Sequence, residues 1–180
     1  MREIPYRHPS FVAACVLLLA LLVSAAAYFG SPDRVRRTFF FPRLTGRPPA
    51  QKVRYAGEER LVPARRGMEA RVAGLVEELL LGPEDPDNMA LAGPGTRLLG
   101  VAAAGSTVYV SLTAGLLGEG SVVPPEVQVQ AIADTIYFNF PAVRKAFVFI
   151  DGQAPDFSRT TGNPAYDFSA GVPRSELVGQ

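Results

Sequence analysis

The chain has 180 residues, with 18 Lys or Arg against 17 Asp or Glu and a formal net charge of +1 at pH 7. That length holds one domain of ordinary size with appendages, and so even a balance of charge gives no electrostatic case for nucleic acid or an acidic substrate. The one histidine and the one cysteine are His8 and Cys15, which excludes an intramolecular disulfide and leaves no His/Cys zinc site or histidine-based triad downstream.

Residues 1–10 carry Arg2 and Arg7 against Glu3 and form the N-terminal flank of an apolar run. Residues 11–29 contain no charge, and Ser24 is their one hydroxyl apart from Tyr28. At 1.5 Å per residue they make about 28 Å of helix, close to the ~30 Å hydrocarbon core of a bilayer. A cleaved signal peptide is the rival reading, with Ala25-Ala26-Ala27 as its cleavage site. The apolar run overshoots a usual signal core of about 7–15 residues, which favours an uncleaved anchor. Cys15 precedes most of the apolar stretch rather than following it, so it reads as a small helix residue and not as a lipoprotein site. Five arginines, Arg34, Arg36, Arg37, Arg43 and Arg47, follow the span, and by count they favour that side as cytoplasmic.

Residues 30–37 read as a linker. Residues 38–41 read as a strand ended by Pro42, and 44–51 as a loop. Val53 and Tyr55 alternate with polar residues, Gly57 marks a turn, and Leu61-Val62 begins a second short strand. Over 68–81, Met68, Val72, Leu75, Val76, Leu79 and Leu80 fall on one helical face, with Gly82 as C-terminal cap and Pro83 as stop. Glu77 and Glu78 lie off that stripe. An acidic loop, 84–95, precedes strands at 98–103 and 107–112, joined at Gly105-Ser106. A Gly-rich loop over 113–123 leads to Pro124-Pro125, which opens a second helix with Val129, Ile132, Ala133, Ile136 and Phe140 inward. Residues 146–150 read as a central strand buried on both faces, and 153–180 as a disordered tail. The predicted fold is α+β: a two-layer sandwich of two helices on a small mixed sheet, in ββαββαβ order, after one N-terminal transmembrane helix.

Chemistry is sparse. Glu77 and Glu78 point about 100° apart on a helix and cannot share a substrate. Glu84, Asp85 and Asp87 surround Pro86 and lack the central glycine of a calcium loop. The glycines at 93–95 and 115–120 are not set between a strand and a helix start as a phosphate loop is. No catalytic, cofactor-binding or metal residues are expected. Charge is uneven, however, at +8 over 34–66 and −7 over 67–180.

One set of motifs runs through the chain in order: Phe40-Phe41-Pro42; Arg65-Arg66; a helix closing on Leu79-Leu80-Leu81-Gly82-Pro83; Gly95-Thr96-Arg97-Leu98-Leu99-Gly100-Val101; Val108-Tyr109-Val110-Ser111-Leu112; 131–136; Phe140-Pro141; and Val148-Phe149-Ile150-Asp151-Gly152. Together they resemble a GerMN domain. The likeness covers residues 38–152. Gly82, Pro83, Gly95, Thr96, Phe140, Pro141, Asp151 and Gly152 are its fold-defining positions. The resemblance implies a non-catalytic protein–protein assembly module of the cell envelope, of the sporulation or germination kind. It places the C-terminal domain outside the cytoplasm on a single-pass anchor in the cell membrane, against the arginine count. Partners would be other envelope or membrane proteins or further copies of the chain, with Arg65 and Arg66 as a candidate interaction surface. The alternative is an accessory domain binding peptidoglycan or another carbohydrate of the wall.

Overall fold

The structure, a computed structural model, describes residues 9–29, 33–46, 52–117 and 123–175. It divides into two units, Met1–Asp33 and Arg34–Gln180. The first is a helix, α1 (Pro9–Phe29). Its described side chains end at residue 25, and large apolar groups such as Leu17, Leu19 and Leu21 are exposed along it. Among the described residues no helix is long and apolar enough to cross a membrane.

The second unit follows the expected ββαββαβ order: β1 (Arg34–Thr45), β2 (Lys52–Pro63), α2 (Met68–Leu80), β3 (Leu98–Ala104), β4 (Thr107–Leu112), α3 (Pro125–Asn139) and β5 (Lys145–Ile150). It contains two sheets rather than one. β1 and β2 form a separate antiparallel hairpin, while β3-β4-β5 form a mixed sheet, antiparallel at β3·β4 and parallel at β4·β5.

The first strand is three times the length expected, and two supposed breakers lie inside the hairpin. Residues 34–37, read as linker, pair with 60–63, and Pro42 pairs with Tyr55. The amides of Thr38 and Phe40 point away from β2, to Asn139 Oδ1 and Thr135 Oγ1 of α3. Pro42 shares their parity, so its missing N–H costs the ladder nothing. Its carbonyl, on that outer edge, accepts the Met89 amide at 2.8 Å. Gly57 is not a turn. It pairs with Phe40, and a Cβ there would lie 3.3 Å from Thr38 Cγ2 and 3.6 Å from the Phe40 ring.

α2 forms over the predicted stretch and buries Val72, Leu75, Val76 and Leu79. Gly82, at φ 93°, takes the left-handed cap position and donates its amide to Leu79 O. β4 alternates as read: Val108, Val110 and Leu112 are buried, and Tyr109 is exposed. α3 is more deeply enclosed than one stripe implied, since residues 131–137 are all buried. Its polar members serve the enclosure. Asn139 Nδ2 donates to Thr38 O, and the Tyr137 hydroxyl accepts the Ala146 amide.

Two further expectations give way. β5 is not central; β4 is, and β5 buries only Ala146, Val148 and Ile150, with Phe147 and Phe149 on the other face. Nor are residues 153–175 a disordered tail. Phe168 is 1% exposed, with the Phe157 and Tyr166 rings edge-on to it at 6.1 and 6.2 Å. Val172 bridges Ala146 on the outer side of β5, and its carbonyl accepts the Tyr137 hydroxyl at 2.6 Å. Gln130 holds Pro173 O, and Asp134 takes the Ser175 amide. Single aromatic anchors and backbone bonds fasten this strap. It has no periodic apolar face to betray it.

Candidate functional site

The motif residues mostly serve turns. Gly82 O accepts a 2.8 Å bond from Arg60, which joins the end of α2 to β2, and Pro83 stops the helix behind it. Gly95 has φ 88°, and Thr96 closes its turn with N–H and Oγ1 both on Gly93 O. In the sequence Gly115 reads only as part of a phosphate-loop-like run, which misses its packing role. Its Cβ would come within 2.8 Å of Thr96 N, so only glycine lets these two turns touch. Pro141 is exposed in the turn after α3. Asp151 (φ 46°) and Gly152 (φ 78°) make a tight turn in which Ile150 and Gln153 exchange both backbone bonds. This turn folds the chain back instead of releasing it. Asp151 Oδ1 also receives the Ala114 amide.

Phe140 has a second task. It is buried, and the guanidiniums of Arg37 (4.9 Å) and Arg71 (5.6 Å) lie over its ring. Both arginines line a cleft between the β1–β2 hairpin and α2, together with Val35, Val62 and Leu75. Arg37 donates one bond to Asn139 O, and Arg71 one to Gly67 O. Among the described residues no carboxylate is within ion-pair distance of either. Burial first, and the positive charge of Arg71 second, push the Arg37 guanidinium below its usual range. Two like charges are thus held against one ring.

Arg65 and Arg66 do not act as a pair. Arg65 lines the same cleft, bonds Glu77 at 2.8 Å and lies so close over α2 that a Cβ on Gly74 would be 2.8 Å from its Nε. Arg66 is exposed and does not line the cleft.

The hairpin also carries a dense polar network. Arg60, only 7% exposed, lies over the rings of Phe39 and Phe41 and bonds Glu58 at 2.6 Å. Glu84 and Glu78 stand 3.7 and 3.9 Å away. Glu58 further accepts the amides of Glu84 and Asp85 and the Asn88 side chain. Burial alone would raise the Glu58 carboxyl, but the bonds from Arg60, Glu84, Asn88 and Asp85 outweigh it and hold it below the usual carboxylate range. Arg43 reaches across to Asn88 and Asp85. The acidic loop is therefore a fastening: the amides of Glu84, Asp85 and Met89, the Asn88 side chain and the Asp85 carboxylate all reach the hairpin. Among the described residues no group of acids, His or Cys could hold a metal ion.

A different surface lies on the three-stranded sheet. The helices cover the face of Val108, Val110 and Val148, and the other face is open. Across the middle of that face stand Ala102, Tyr109 and Phe147, with Gly100, Ser111 and Phe149 in the next row. The rings of Tyr109, Phe147 and Phe149 lie within 21° of parallel, with centroids 5.2–6.5 Å apart. Small residues on β3 leave the face flat beside them.

The family model that matches the chain is Germane, described as sporulation and spore germination, over residues 38–156. The chain belongs to this GerMN-related family. Two solved structures resemble the GerMN-type domain. One is described as a lipoprotein from Clostridium perfringens, 21% identical, with a TM-score of 0.43, covering 69% of this chain and 79% of that one. The other holds the tandem GerMN domains of the sporulation protein GerM from Bacillus subtilis, 11% identical, with a TM-score of 0.45, covering 67% of this chain and 40% of that one. No curated protein matches.

Proposed function

We propose that the chain is a membrane-anchored, extracytoplasmic GerMN-type domain that works by protein–protein assembly in the cell envelope and catalyses no reaction. The observation that carries this reading is the open sheet face with Tyr109, Phe147 and Phe149. A flat surface rich in apolar and aromatic side chains suits a protein partner, whereas a catalytic reading would need convergent titratable groups in a cleft. The family's tie to sporulation and spore germination supports an envelope complex of that kind.

Anchoring rests on the sequence of residues 11–29 and on the helix that runs through them, whose described leucines are exposed. An uncharged run of nineteen residues, 11–29, suits a bilayer core by its sequence. The N-terminus is then inside, with the domain outside.

The test uses the full chain in mild detergent. Wild type should recover an envelope protein or a second copy by crosslinking, and Tyr109→Glu should lose it while unfolding as wild type does. Undiminished recovery in the variant would overturn the reading. Retention on insoluble peptidoglycan with no protein recovered, lost in Tyr109→Glu, would replace it with the wall-binding alternative.

A further inference from the structure

We infer that the cleft between the β1–β2 hairpin and α2 receives an acidic segment of a partner protein, a carboxylate seating between the guanidiniums of Arg37 and Arg71 and a neighbouring apolar side chain packing on Val35 and Leu81, over a floor of buried Val62 and Leu75. It rests on the assembly reading only in taking a protein as the occupant.

The cations come first. Arg37 and Arg71 belong to different elements, yet both are stacked on Phe140 and open to one cleft. Each guanidinium has five N–H donors, and among the described residues one hydrogen bond from each is seen. The remaining donors are held in place by the ring, by Asn139 O and by Gly67 O. A planar fork pre-set in this way matches a carboxylate in two-point geometry, and an ammonium would not. Phe140, a family motif residue, thereby becomes a positioning platform as well as a helix terminator.

The walls narrow the class of anion. Valine and leucine side chains stand beside the guanidiniums, and Leu81 at the rim is 79% exposed. A bare phosphate would leave Leu81 and the half-buried Val35 in water. An acid flanked by an apolar residue uses both halves of the cleft. Glu77, paired with Arg65, and Glu78 line the α2 side, so the cation pair is flanked by acids; a densely anionic surface such as a membrane of acidic lipids fits that mixed lining less well than one carboxylate does. Charge complementarity thus selects a peptide acid.

The experiment titrates full-length protein in neutral detergent with a labelled acetyl-Ala-Leu-Glu-Leu-Ala-amide peptide and its Gln counterpart, read by anisotropy. Saturable binding of the Glu peptide is expected, weakened about tenfold or more by Gln in the peptide or by Arg71→Glu, in line with loss of a charge-assisted two-point contact. Arg71→Lys, which keeps charge but not the fork, should lie between them. Arg144→Glu, on an exposed turn away from the cleft, should bind as wild type does. Equal binding of the Glu and Gln peptides, or indifference to Arg71→Glu, overturns the inference. So does full competition by inorganic phosphate at the peptide's own concentration, which would mean that a bare oxyanion suffices. Arg71-dependent capture by phosphatidylglycerol vesicles with no peptide binding would also overturn it, in favour of a lipid. The titration needs no native partner, so its failure is separable from failure to recover one through the sheet face.

Discussion

In α3, residues 131–137 are at most 2% exposed, whereas in α1 Leu17, Leu18, Leu19 and Leu21 are 63–70% exposed. α1 is almost wholly apolar, yet the more polar α3 is the buried one, so apolarity alone does not decide burial. The polar residues of α3 explain the inversion. α3 carries Thr135, Tyr137 and Asn139, and each bonds backbone of a neighbouring strand: Phe40 N, Ala146 N and Thr38 O. α1 offers no comparable set, with Ser10 and Ser24 as its hydroxyls among the described side chains. A helix enclosed by protein must satisfy the strand edges that enclose it. An exposed helix has no such edges to meet.

The comparison can be broken where α3 depends on its cover. Phe168→Ala, which removes the main anchor of the 153–175 strap, should cost about 3–5 kcal/mol in denaturant unfolding. A loss under about 1 kcal/mol would mean that the strap is dispensable and that α3 is enclosed without it. Ile132→Ala should cost about 2–5 kcal/mol by opening a cavity inside the same enclosure.

A pH series sharpens the polar side of the contrast. Burial raises the Asp134 carboxyl above its ordinary value, against bonds from Ser175 and Gln130 and the charge of Arg174. Between the ordinary and the raised value the folded state holds a proton that the unfolded state has released. Stability therefore falls as pH rises through that window. Asp134→Asn keeps an acceptor for Ser175 and should flatten the decline, which urea midpoints from pH 3 to 7 would detect. A decline of unchanged slope in the variant would assign it to another group. The smallest effect belongs to α1. Leu18→Ala should leave unfolding of the 34–180 unit within about 0.5 kcal/mol of wild type, as an exposed position should. A larger loss would mean that Leu18 is not an exposed position.

Both the order of elements and the identity of the helices could be read without a structure, because each was written in a local pattern. The α2 stripe from Met68 to Leu79, the stop at Gly82-Pro83 and the alternation of Val108, Val110 and Leu112 are features within a few residues of one another. The hairpin was misread for the opposite reason. Pro42 and Gly57 are breakers by local rule, and only the α3 side chains beside β1 and the Phe40 ring over Gly57 make them harmless. The candidate cleft was half visible. Arg65 was singled out from the charge imbalance, but Arg37 and Arg71 were ordinary surface cations until the fold set them over Phe140.

The sequence by itself determined an apolar N-terminal helix, an α+β domain of ββαββαβ order and the residues that cap and turn it. Those are consequences of periodicity and of backbone freedom at glycine and proline, which act between near neighbours. Tertiary structure alone decided that the hairpin stands apart from the sheet, that the C-terminal strap closes over β5 and α3, and that two arginines share one ring. Each of these rests on contacts between residues distant in the chain. Such contacts form only where the packed core brings the groups together, so no local pattern announces them.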